Sequence, residues 1–224
     1  MLLHLKNVLT PDQLQGAREM LARVKFVDGK ASAGLAAVRV KHNQEADRQA
    51  AEIQTLDNLV MGSLVRHPVY RAGALALKVA TPFYARYVPG MRYGDHVDDP
   101  IMGTGEGLYR TDIAITIFLN DPANYDGGEL VINTAFGEQK VKLPAGDGVM
   151  YPASSLHRVA EVTRGERLVA VTWVQSLLRD PAKRELLYEL NQVRERLLKE
   201  APDSPDTARI NTVYVNLFRM WSEL

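Results

Sequence analysis

Four residues of this chain have side chains and a spacing that could hold a metal ion and an organic acid. His96 and Asp98 lie two positions apart, His157 follows much later, and Arg167 stands ten residues beyond it. Two imidazoles and one carboxylate are the ligand set that holds non-haem Fe(II) on one face of an octahedron, so the opposite face stays open for a cosubstrate and O2. An arginine suits the far carboxylate of a 2-oxo acid, because its planar guanidinium can donate two parallel hydrogen bonds.

Strand parity favours Asp98 over the adjacent Asp99 as the carboxylate ligand. Residues i and i+2 of an extended strand project to the same side, so His96 and Asp98 can point at one metal while Asp99 faces away. The third ligand must come from a distant strand, because one strand cannot surround an ion. His157 follows a segment that ends at a proline and a short polar loop. Arg167 opens a run rich in β-branched residues, which is typical of a strand.

Each of these residues alone is weak evidence for a site. A His-x-Asp pair often arises by chance, a lone His157 is more often a surface or hydrogen-bonded histidine, and a lone Arg167 is more often a solvated charge. The intervening segments change this balance. An alternating run at 112–119 predicts a strand, and 129–134 with 138–143 predicts a strand pair. The candidate ligands therefore lie at the two ends of an antiparallel region, as a metal site in a barrel mouth requires.

Several short phrases over about the middle half of the chain carry a family resemblance. They are His96-Val-Asp98, Tyr125-Asp-Gly-Gly-Glu-Leu130, Leu143-Pro-Ala-Gly-Asp147, Tyr151-Pro-Ala-Ser-Ser-Leu-His-Arg-Val159 and Thr163-Arg-Gly-Glu-Arg167. With these phrases the chain resembles the Fe(II)- and 2-oxoglutarate-dependent dioxygenases. Within them it resembles the bacterial PKHD-type hydroxylases, whose domain is like that of prolyl and lysyl hydroxylases.

The resemblance implies a fold and a set of site residues. The fold is α+β, with a double-stranded β-helix (jelly-roll) core, flanking N-terminal helices and a C-terminal helical annex. The resemblance places iron on His96, Asp98 and His157, and assigns the distal carboxylate of 2-oxoglutarate to Arg167.

One position departs from the family pattern. Related enzymes often place a serine or threonine two residues past the arginine, where this chain has Val169. The second partner of the distal carboxylate must then come from elsewhere, and a tyrosine such as Tyr87 or Tyr109 is a candidate.

The implied activity is hydroxylation of an unactivated C–H bond, with release of succinate and CO2. The cofactor is Fe(II), the cosubstrates are 2-oxoglutarate and O2, and L-ascorbate is an optional reductant. In halogenating relatives the position of Asp98 carries a small residue, so this chain favours hydroxylation. The prime substrate, a protein side chain or a small molecule, is not named by the sequence.

Two other classes of function stay open. A jelly-roll module could keep the triad and use bound iron or 2-oxoglutarate as a signal without turnover. A cupin-type enzyme could use another metal, although cupins usually bind their metal through more histidines than this chain has available for one site. O2 consumption that depends on the cosubstrate separates both from a hydroxylase.

The amino-acid composition excludes some classes of partner and of functional site. The formal net charge is zero and no basic cluster stands out, so nucleic acid is not an expected partner. The absence of cysteine excludes disulfides, zinc–thiolate sites and thiol catalysis. The first nine residues are too short and polar for a signal peptide or a membrane span, so we expect a cytoplasmic protein and no membrane partner.

We expect three regions in the chain. Residues 1–77 form a helical segment that packs on the core, 78–178 form the jelly-roll, and 179–224 form the helical annex. The first region should hold a helix that starts near Thr10 and a second from about 43 to 66, and 93–110 should be a mobile loop over the iron. The annex should hold two helices, the second capped by Asp206, and dimerisation through it is the minority alternative. Trp173 and Trp221 are expected to serve packing.

Overall fold

The computed structural model describes residues 1–35 and 37–224. Its helices are α1 (Pro11–Leu21), α2 (Ile53–Leu64), α3 (Pro68–Ala74), α4 (Pro181–Glu200) and α5 (Pro205–Trp221). Its strands are β1 (Leu3–Leu5), β2 (Phe26–Asp28), β3 (Lys41–His42), β4 (Gln44–Ala46), β5 (Ala76–Val79), β6 (Phe83–Tyr87), β7 (Arg92–His96), β8 (Ile101–Met102), β9 (Tyr109–Arg110), β10 (Ile113–Phe118), β11 (Tyr125–Gly127), β12 (Leu130–Thr134), β13 (Gly137–Val141), β14 (Gly148–Pro152), β15 (His157–Val159), β16 (Val162–Gly165) and β17 (Arg167–Ser176).

Two antiparallel sheets face each other and form the jelly-roll. The larger sheet has the strand order β1-β14-β10-β17-β6-β4-β2, and β5 extends it beside β17. The smaller sheet has the order β13-β12-β15-β7-β3. Apolar side chains from both sheets meet in one buried cluster, which includes Ala114 and Val169 from the larger sheet and Leu130 and Val159 from the smaller. The structure therefore confirms the predicted α+β class with a double-stranded β-helix core.

The outer face of the larger sheet is covered by the N-terminal helices. Ile115 and Ile117 of β10 alternate with Ala114 and project to this outer face, where they pack with Leu56 and Val60 of α2. Every residue of β10 is buried, which is the expected pattern for a central strand covered on both faces.

The first helix begins as its sequence predicts. Thr10 accepts a hydrogen bond from the backbone of Gln13, and the Gln13 side chain accepts one from the backbone of Thr10, which completes a capping box. Pro11 occupies the first turn, where its missing N–H costs no hydrogen bond. The buried residues Ala17 and Leu21 lie on the face toward the sheet.

The predicted helix from about 43 to 66 is wrong over its first part. Residues Gln44–Ala46 form β4, which lies between β2 and β6, and the helix α2 begins only at Ile53. The cause is tertiary: two neighbouring strands offer β4 backbone partners on both sides, and this pairing outweighs the weak helical pattern of the segment.

The region from 93 to 110 contains more regular structure than the predicted loop. It includes most of β7 and the short β8–β9 hairpin, in which Ile101 pairs with Arg110. The N-terminal region likewise adds strands to both sheets, since β1 pairs with β14 and β3 pairs with β7. Neither contribution was predicted.

The C-terminal annex consists of two antiparallel helices. Leu187 of α4 packs with Leu75 and Leu178 in a small buried cluster. The cap of α5 is Ser204, whose side chain accepts a hydrogen bond from the backbone of Asp206, so the predicted capping role of Asp206 is wrong. No helix among the described residues has the length and apolar character needed to span a bilayer.

Candidate metal centre and cosubstrate pocket

Two neighbouring strands of the smaller sheet bring the two histidines together. His96 ends β7, His157 begins β15, and the antiparallel register places these two residues opposite each other. Asp98 follows two residues after His96 and turns its carboxylate toward both rings. The structure thus brings His157 beside the His96–Asp98 pair, from which it is distant in the sequence.

The three side chains converge on one point. Oδ1 of Asp98 lies 3.8 Å from Nε2 of His96 and 3.8 Å from Nε2 of His157. One ligand atom from each residue lies within 4.8 Å of the others. The side chains are only 7% (His96), 8% (Asp98) and 5% (His157) exposed, so water competes little for the site. Asp99 is exposed, as strand parity predicts.

The backbone fixes the orientation of both imidazoles. Nδ1 of His96 lies 2.8 Å from the carbonyl oxygen of Gly94, and Nδ1 of His157 lies 2.9 Å from that of Ser155. A carbonyl oxygen can only accept, so each Nδ1 is the donor, and Nε2 is the ring nitrogen that faces the Asp98 carboxylate. Burial, followed by the neighbouring His157, lowers the pKa of His96 to about 4, which keeps its ring neutral.

Aromatic rings hold the histidines from the side. Tyr93 stacks on His96 with ring centroids 3.6 Å apart and 11° between the planes. Tyr151 meets His157 edge-on at 5.3 Å. The Lys41 ammonium lies 5.4 Å from the Tyr93 ring centroid. These contacts leave the two rings little freedom to turn.

Trp173 packs against the core cluster between the sheets, as expected, and it also contacts the carboxylate of the triad. Its indole Nε1 donates a hydrogen bond to Oδ2 of Asp98 at 2.9 Å. Burial raises the pKa of Asp98, while His157 and the bond from Trp173 act in the opposite direction. Strand parity places Trp173, six positions after Arg167, on the same side of the strand, but it does not indicate Asp98 as its partner.

Arg167 is a buried cation with no anion beside it. It opens β17, is 2% exposed, and lies with its guanidinium carbon 5.0 Å from the Tyr87 ring centroid and 5.6 Å from that of Phe118. Among residues 1–35 and 37–224 no carboxylate forms an ion pair with it, and its Nε has no hydrogen-bond acceptor. The Tyr125 hydroxyl is also buried there without a partner of good hydrogen-bond geometry.

One cavity joins the triad to Arg167. Its lining includes His96, Asp98, His157, Arg167, Tyr87, Thr116, Tyr151 and Trp173. The two tyrosines proposed from the sequence are separated by the structure. Tyr87 lies in this cavity against Arg167, whereas Tyr109 lies on the β8–β9 hairpin, where its hydroxyl donates to Sδ of Met102 at 3.6 Å. Val169 is fully buried in the core between the sheets.

Two family models match the chain. Residues 82–175 match the 2OG-Fe(II) oxygenase superfamily, and residues 181–223 match the PKHD-type hydroxylase C-terminal domain. The first match contains the triad and Arg167, and the second covers the two annex helices.

Similar proteins match over the whole chain. A PKHD-type hydroxylase from Thioalkalivibrio sulfidiphilus is 52% identical over 224 residues, and one from Hyphomonas neptunium is 43% identical over 228 residues. Each alignment covers 100% of both chains. Among solved structures, a prolyl hydroxylase from Trichoplax adhaerens in complex with a hypoxia inducible factor peptide fragment has a TM-score of 0.56 at 16% identity. That match covers 83% of this chain and 86% of the other, and shows the shared fold.

The triad, the cavity and these matches agree with one another. The family uses Fe(II), 2-oxoglutarate and O2, and its activity is hydroxylation. The chain belongs to the PKHD-type hydroxylases of the 2OG-Fe(II) oxygenase superfamily.

Proposed function

We propose that His96, Asp98 and His157 hold the Fe(II) of this hydroxylase, and that Arg167 binds the distal carboxylate of 2-oxoglutarate. The observation that carries the proposal is the convergence of two Nε2 atoms and one carboxylate oxygen in a cavity that also holds the buried guanidinium of Arg167, which forms no ion pair within the described part of the chain.

The donor set fits a ferrous ion. Two neutral imidazoles and one carboxylate form the combination that non-haem Fe(II) oxygenases use, with positions left open for a cosubstrate. The bonds from Nδ1 to the Gly94 and Ser155 carbonyl oxygens orient the rings, which is how proteins commonly fix metal-binding histidines. The absence of cysteine agrees with a site built from nitrogen and oxygen.

The other end of the cavity fits a dicarboxylate. A guanidinium that is 2% exposed carries a large desolvation cost unless an anion offsets it. The far carboxylate of 2-oxoglutarate supplies that anion and accepts charge-assisted hydrogen bonds. Tyr87 and the buried Tyr125 hydroxyl are the candidates for the second polar partner of this carboxylate.

The bound Fe(II) and 2-oxoglutarate supply the oxidising chemistry, in which O2 and 2-oxoglutarate yield succinate and CO2 while one oxygen atom enters a C–H bond. The chain supplies binding and orientation. Arg167 holds one end of the cosubstrate, the triad holds the metal at the other, and the aromatic lining of Tyr93, Tyr151 and Trp173 excludes water from the space between them.

The substrate approaches from a second chamber that opens on the same triad. This chamber is lined by Phe83, Tyr93, Trp173 and Met102, together with the Lys41–Glu45 ion pair, whose Nζ and Oε1 atoms are 2.6 Å apart. Its walls present apolar and aromatic surface to the reacting part of the substrate. The substrate itself, a protein side chain or a small molecule, is to be identified by turnover assays.

Several expectations from the sequence stay predictions. They are the cytoplasmic location, the use of L-ascorbate as a reductant, the boundaries of the three regions, the absence of nucleic-acid and membrane partners, and the minority alternative of dimerisation through the annex. Sedimentation equilibrium over a range of protein concentrations checks the last of these.

The experiment that tests the proposal is an anaerobic titration of Fe(II)-loaded protein with 2-oxoglutarate. Chelation of Fe(II) by the 2-oxo acid produces a weak visible charge-transfer band. We expect this band in the native protein, its loss in His157→Ala, and its displacement to much higher 2-oxoglutarate concentration in Arg167→Ala.

His42→Ala serves as the matched control, because His42 is exposed and lies outside the triad. If Fe(II) binds to the native protein and no band forms, the chelation proposal fails. Succinate production by His96→Ala at the native rate would also contradict the assignment. A band without cosubstrate-dependent O2 consumption would favour a sensing module instead.

A further inference from the structure

The two oxygens of Asp98 have different neighbours. Oδ1 lies 3.8 Å from Nε2 of both His96 and His157, in the position of a metal-facing atom. Oδ2 accepts the hydrogen bond from the indole of Trp173 at 2.9 Å. One oxygen of the carboxylate therefore faces the two histidine nitrogens, while the other is occupied by a hydrogen-bond donor of the protein.

We propose that Trp173 is a positioning residue. Its hydrogen bond to Oδ2 of Asp98 keeps that oxygen from binding the metal and leaves Oδ1 as the ligand atom. The inference rests on the proposed assignment of Asp98 as an iron ligand. A carboxylate can bind a cation through one oxygen or through both. A donor on Oδ2 favours binding through one, which leaves more positions at the metal for the cosubstrate and O2.

The indole is itself held rigidly. Trp173 lies within the ten-residue strand β17 and pairs with Ala114 of β10, and its carbonyl oxygen accepts a hydrogen bond from the backbone N–H of Ala80 at 2.9 Å. Phe83 meets its ring edge-on, with the centroids 5.8 Å apart and the planes at 76°. A hydrogen-bond donor that belongs to a paired strand and packs against a second ring holds the carboxylate more firmly than a loop residue would.

One strand therefore serves both ends of the site. Arg167, at the start of β17, faces the cosubstrate end of the cavity, and Trp173, six residues later on the same side, faces the triad. Because both side chains belong to one paired strand, the distance between the cosubstrate anchor and the iron carboxylate is set by the backbone of the sheet.

The sharpest test removes the N–H donor without changing the shape of the ring. Trp221→Phe leaves position 173 as the single tryptophan, since the chain has only two. The full chain is then produced with a benzothienyl analogue of tryptophan, in which sulfur replaces the indole N–H. The Trp221→Phe protein with natural tryptophan is the matched control.

The readouts are Fe(II) binding to the metal-free protein and formation of the visible band with 2-oxoglutarate, both under anaerobic conditions. We expect the Fe(II) dissociation constant of the benzothienyl protein to rise about 10–100-fold, because the carboxylate loses the donor that orients Oδ1 toward the metal, and this is the usual effect of losing a partner of a metal ligand. The 2-oxoglutarate concentration needed for half of the band should rise as well. Trp173→Phe should change both values in the same direction.

Equal Fe(II) and 2-oxoglutarate affinities in the benzothienyl and control proteins would overturn the role of Trp173. The His96→Ala variant separates this failure from a failure of the metal site itself. If His96→Ala loses Fe(II) binding while the benzothienyl protein keeps it, only the role of Trp173 is refuted. If His96→Ala also binds Fe(II) normally, the proposed triad is refuted.

Discussion

The guanidinium of Arg167 is buried and has no anion beside it among the described residues, so it has opposite effects on folding and on cosubstrate binding. We expect Arg167→Met to raise the free energy of unfolding of the metal-free protein by about 1 kcal/mol or more, because an apolar side chain of similar length removes an uncompensated buried charge. The same substitution should weaken 2-oxoglutarate binding about 10–100-fold, since it removes charged hydrogen bonds worth about 1.5–3 kcal/mol each. Urea unfolding and the anaerobic titration measure the two effects.

Each of the two measurements has its own outcome that would contradict the prediction for Arg167→Met. Unchanged 2-oxoglutarate affinity would show that Arg167 does not bind the cosubstrate. A large loss of stability would show that its contacts with the Tyr87 and Phe118 rings offset the burial of its charge.

A second residue-level prediction concerns pH. Burial and the neighbouring His157 lower the pKa of His96 from 6.5 to about 4. Between these pH values the unfolded chain binds a proton at His96 that the native site excludes, so the free energy of unfolding falls as the pH falls. We expect His96→Gln to remove up to about 3 kcal/mol of the loss of stability between pH 7 and pH 4 in the metal-free protein, as measured by urea unfolding.

The exposed His42 gives the control for this pH effect. His42→Gln makes the same substitution at an exposed position outside the triad, and its pH dependence is measured in parallel. A His96→Gln variant with the native pH dependence would mean that the buried ring accepts a proton as readily as a solvated one.

At the residue scale, sequence spacing predicted the cluster well and its supporting contacts poorly. His96, Asp98 and His157 could be grouped because a metal needs donors from two strands, and strand parity selected Asp98. The bond from Trp173 to Asp98 joins positions 75 apart in the chain, and no local pattern encodes which partner a tryptophan will find. The contact of Tyr87 with Arg167 likewise depends on the pairing of β6 with β17.

At the element scale, the turn that ends β11 bears directly on the cosubstrate pocket. Gly128 has a φ of 67°, and a Cβ at this position would lie 3.0 Å from Cδ of Arg167. We expect Gly128→Ala to displace the arginine side chain and to raise the half-saturating 2-oxoglutarate concentration several-fold. The positive φ should also lower the free energy of unfolding by about 1–2 kcal/mol.

The neighbouring glycine separates strain from the effect on the pocket. A Cβ at Gly127, also at positive φ, would meet the backbone carbonyl oxygen of Glu161, which cannot yield as a side chain can. Gly127→Ala should therefore destabilise the protein more than Gly128→Ala. Normal 2-oxoglutarate affinity in a folded Gly128→Ala protein would contradict the proposed link between this turn and Arg167.

Elements with strong local patterns were predicted, and elements that depend on distant partners were not. The helix after Thr10 has a capping box, and the β12–β13 pair has a glycine-containing turn, so both could be predicted from the sequence. The strand β4 has no such pattern and exists because β2 and β6 flank it. The same holds for β1, whose three residues pair with β14, a strand that lies far later in the sequence.

At the scale of the whole molecule, the annex is attached to the jelly-roll through a small apolar cluster. Leu187 is 1% exposed and packs with Leu75 and Leu178, whereas the adjacent Leu186 is 61% exposed. We expect Leu187→Ala to lower the free energy of unfolding by about 2–5 kcal/mol, and Leu186→Ala to change it by less than about 0.5 kcal/mol. Fe(II) affinity should be unchanged in both variants, because neither residue touches the triad.

Equal stability losses in the two leucine variants would contradict the packing described here.

Polar contacts also tie the annex to the jelly-roll. Arg184 donates to the carbonyl oxygens of Leu178 and Arg179, and the backbone N–H of Glu223 donates to the carbonyl oxygen of Leu177 at 2.7 Å. The end of α5 is therefore fixed to the end of β17, the strand that carries Arg167 and Trp173.

The positions of the two tryptophans allow the intrinsic fluorescence of the protein to report on two regions. Trp173 donates to the carboxylate of the metal site, so a paramagnetic ion bound there should quench its fluorescence at short range. Trp221 ends α5 in the annex, where it packs against the cluster of Leu75, Leu178 and Leu187, with the Lys183 ammonium 5.7 Å from its ring centroid. Metal loading should therefore extinguish one emission component, and detachment of the annex should red-shift the other. A single emission spectrum of the unlabelled chain can thus follow the loading of the site and the attachment of the annex as separate events.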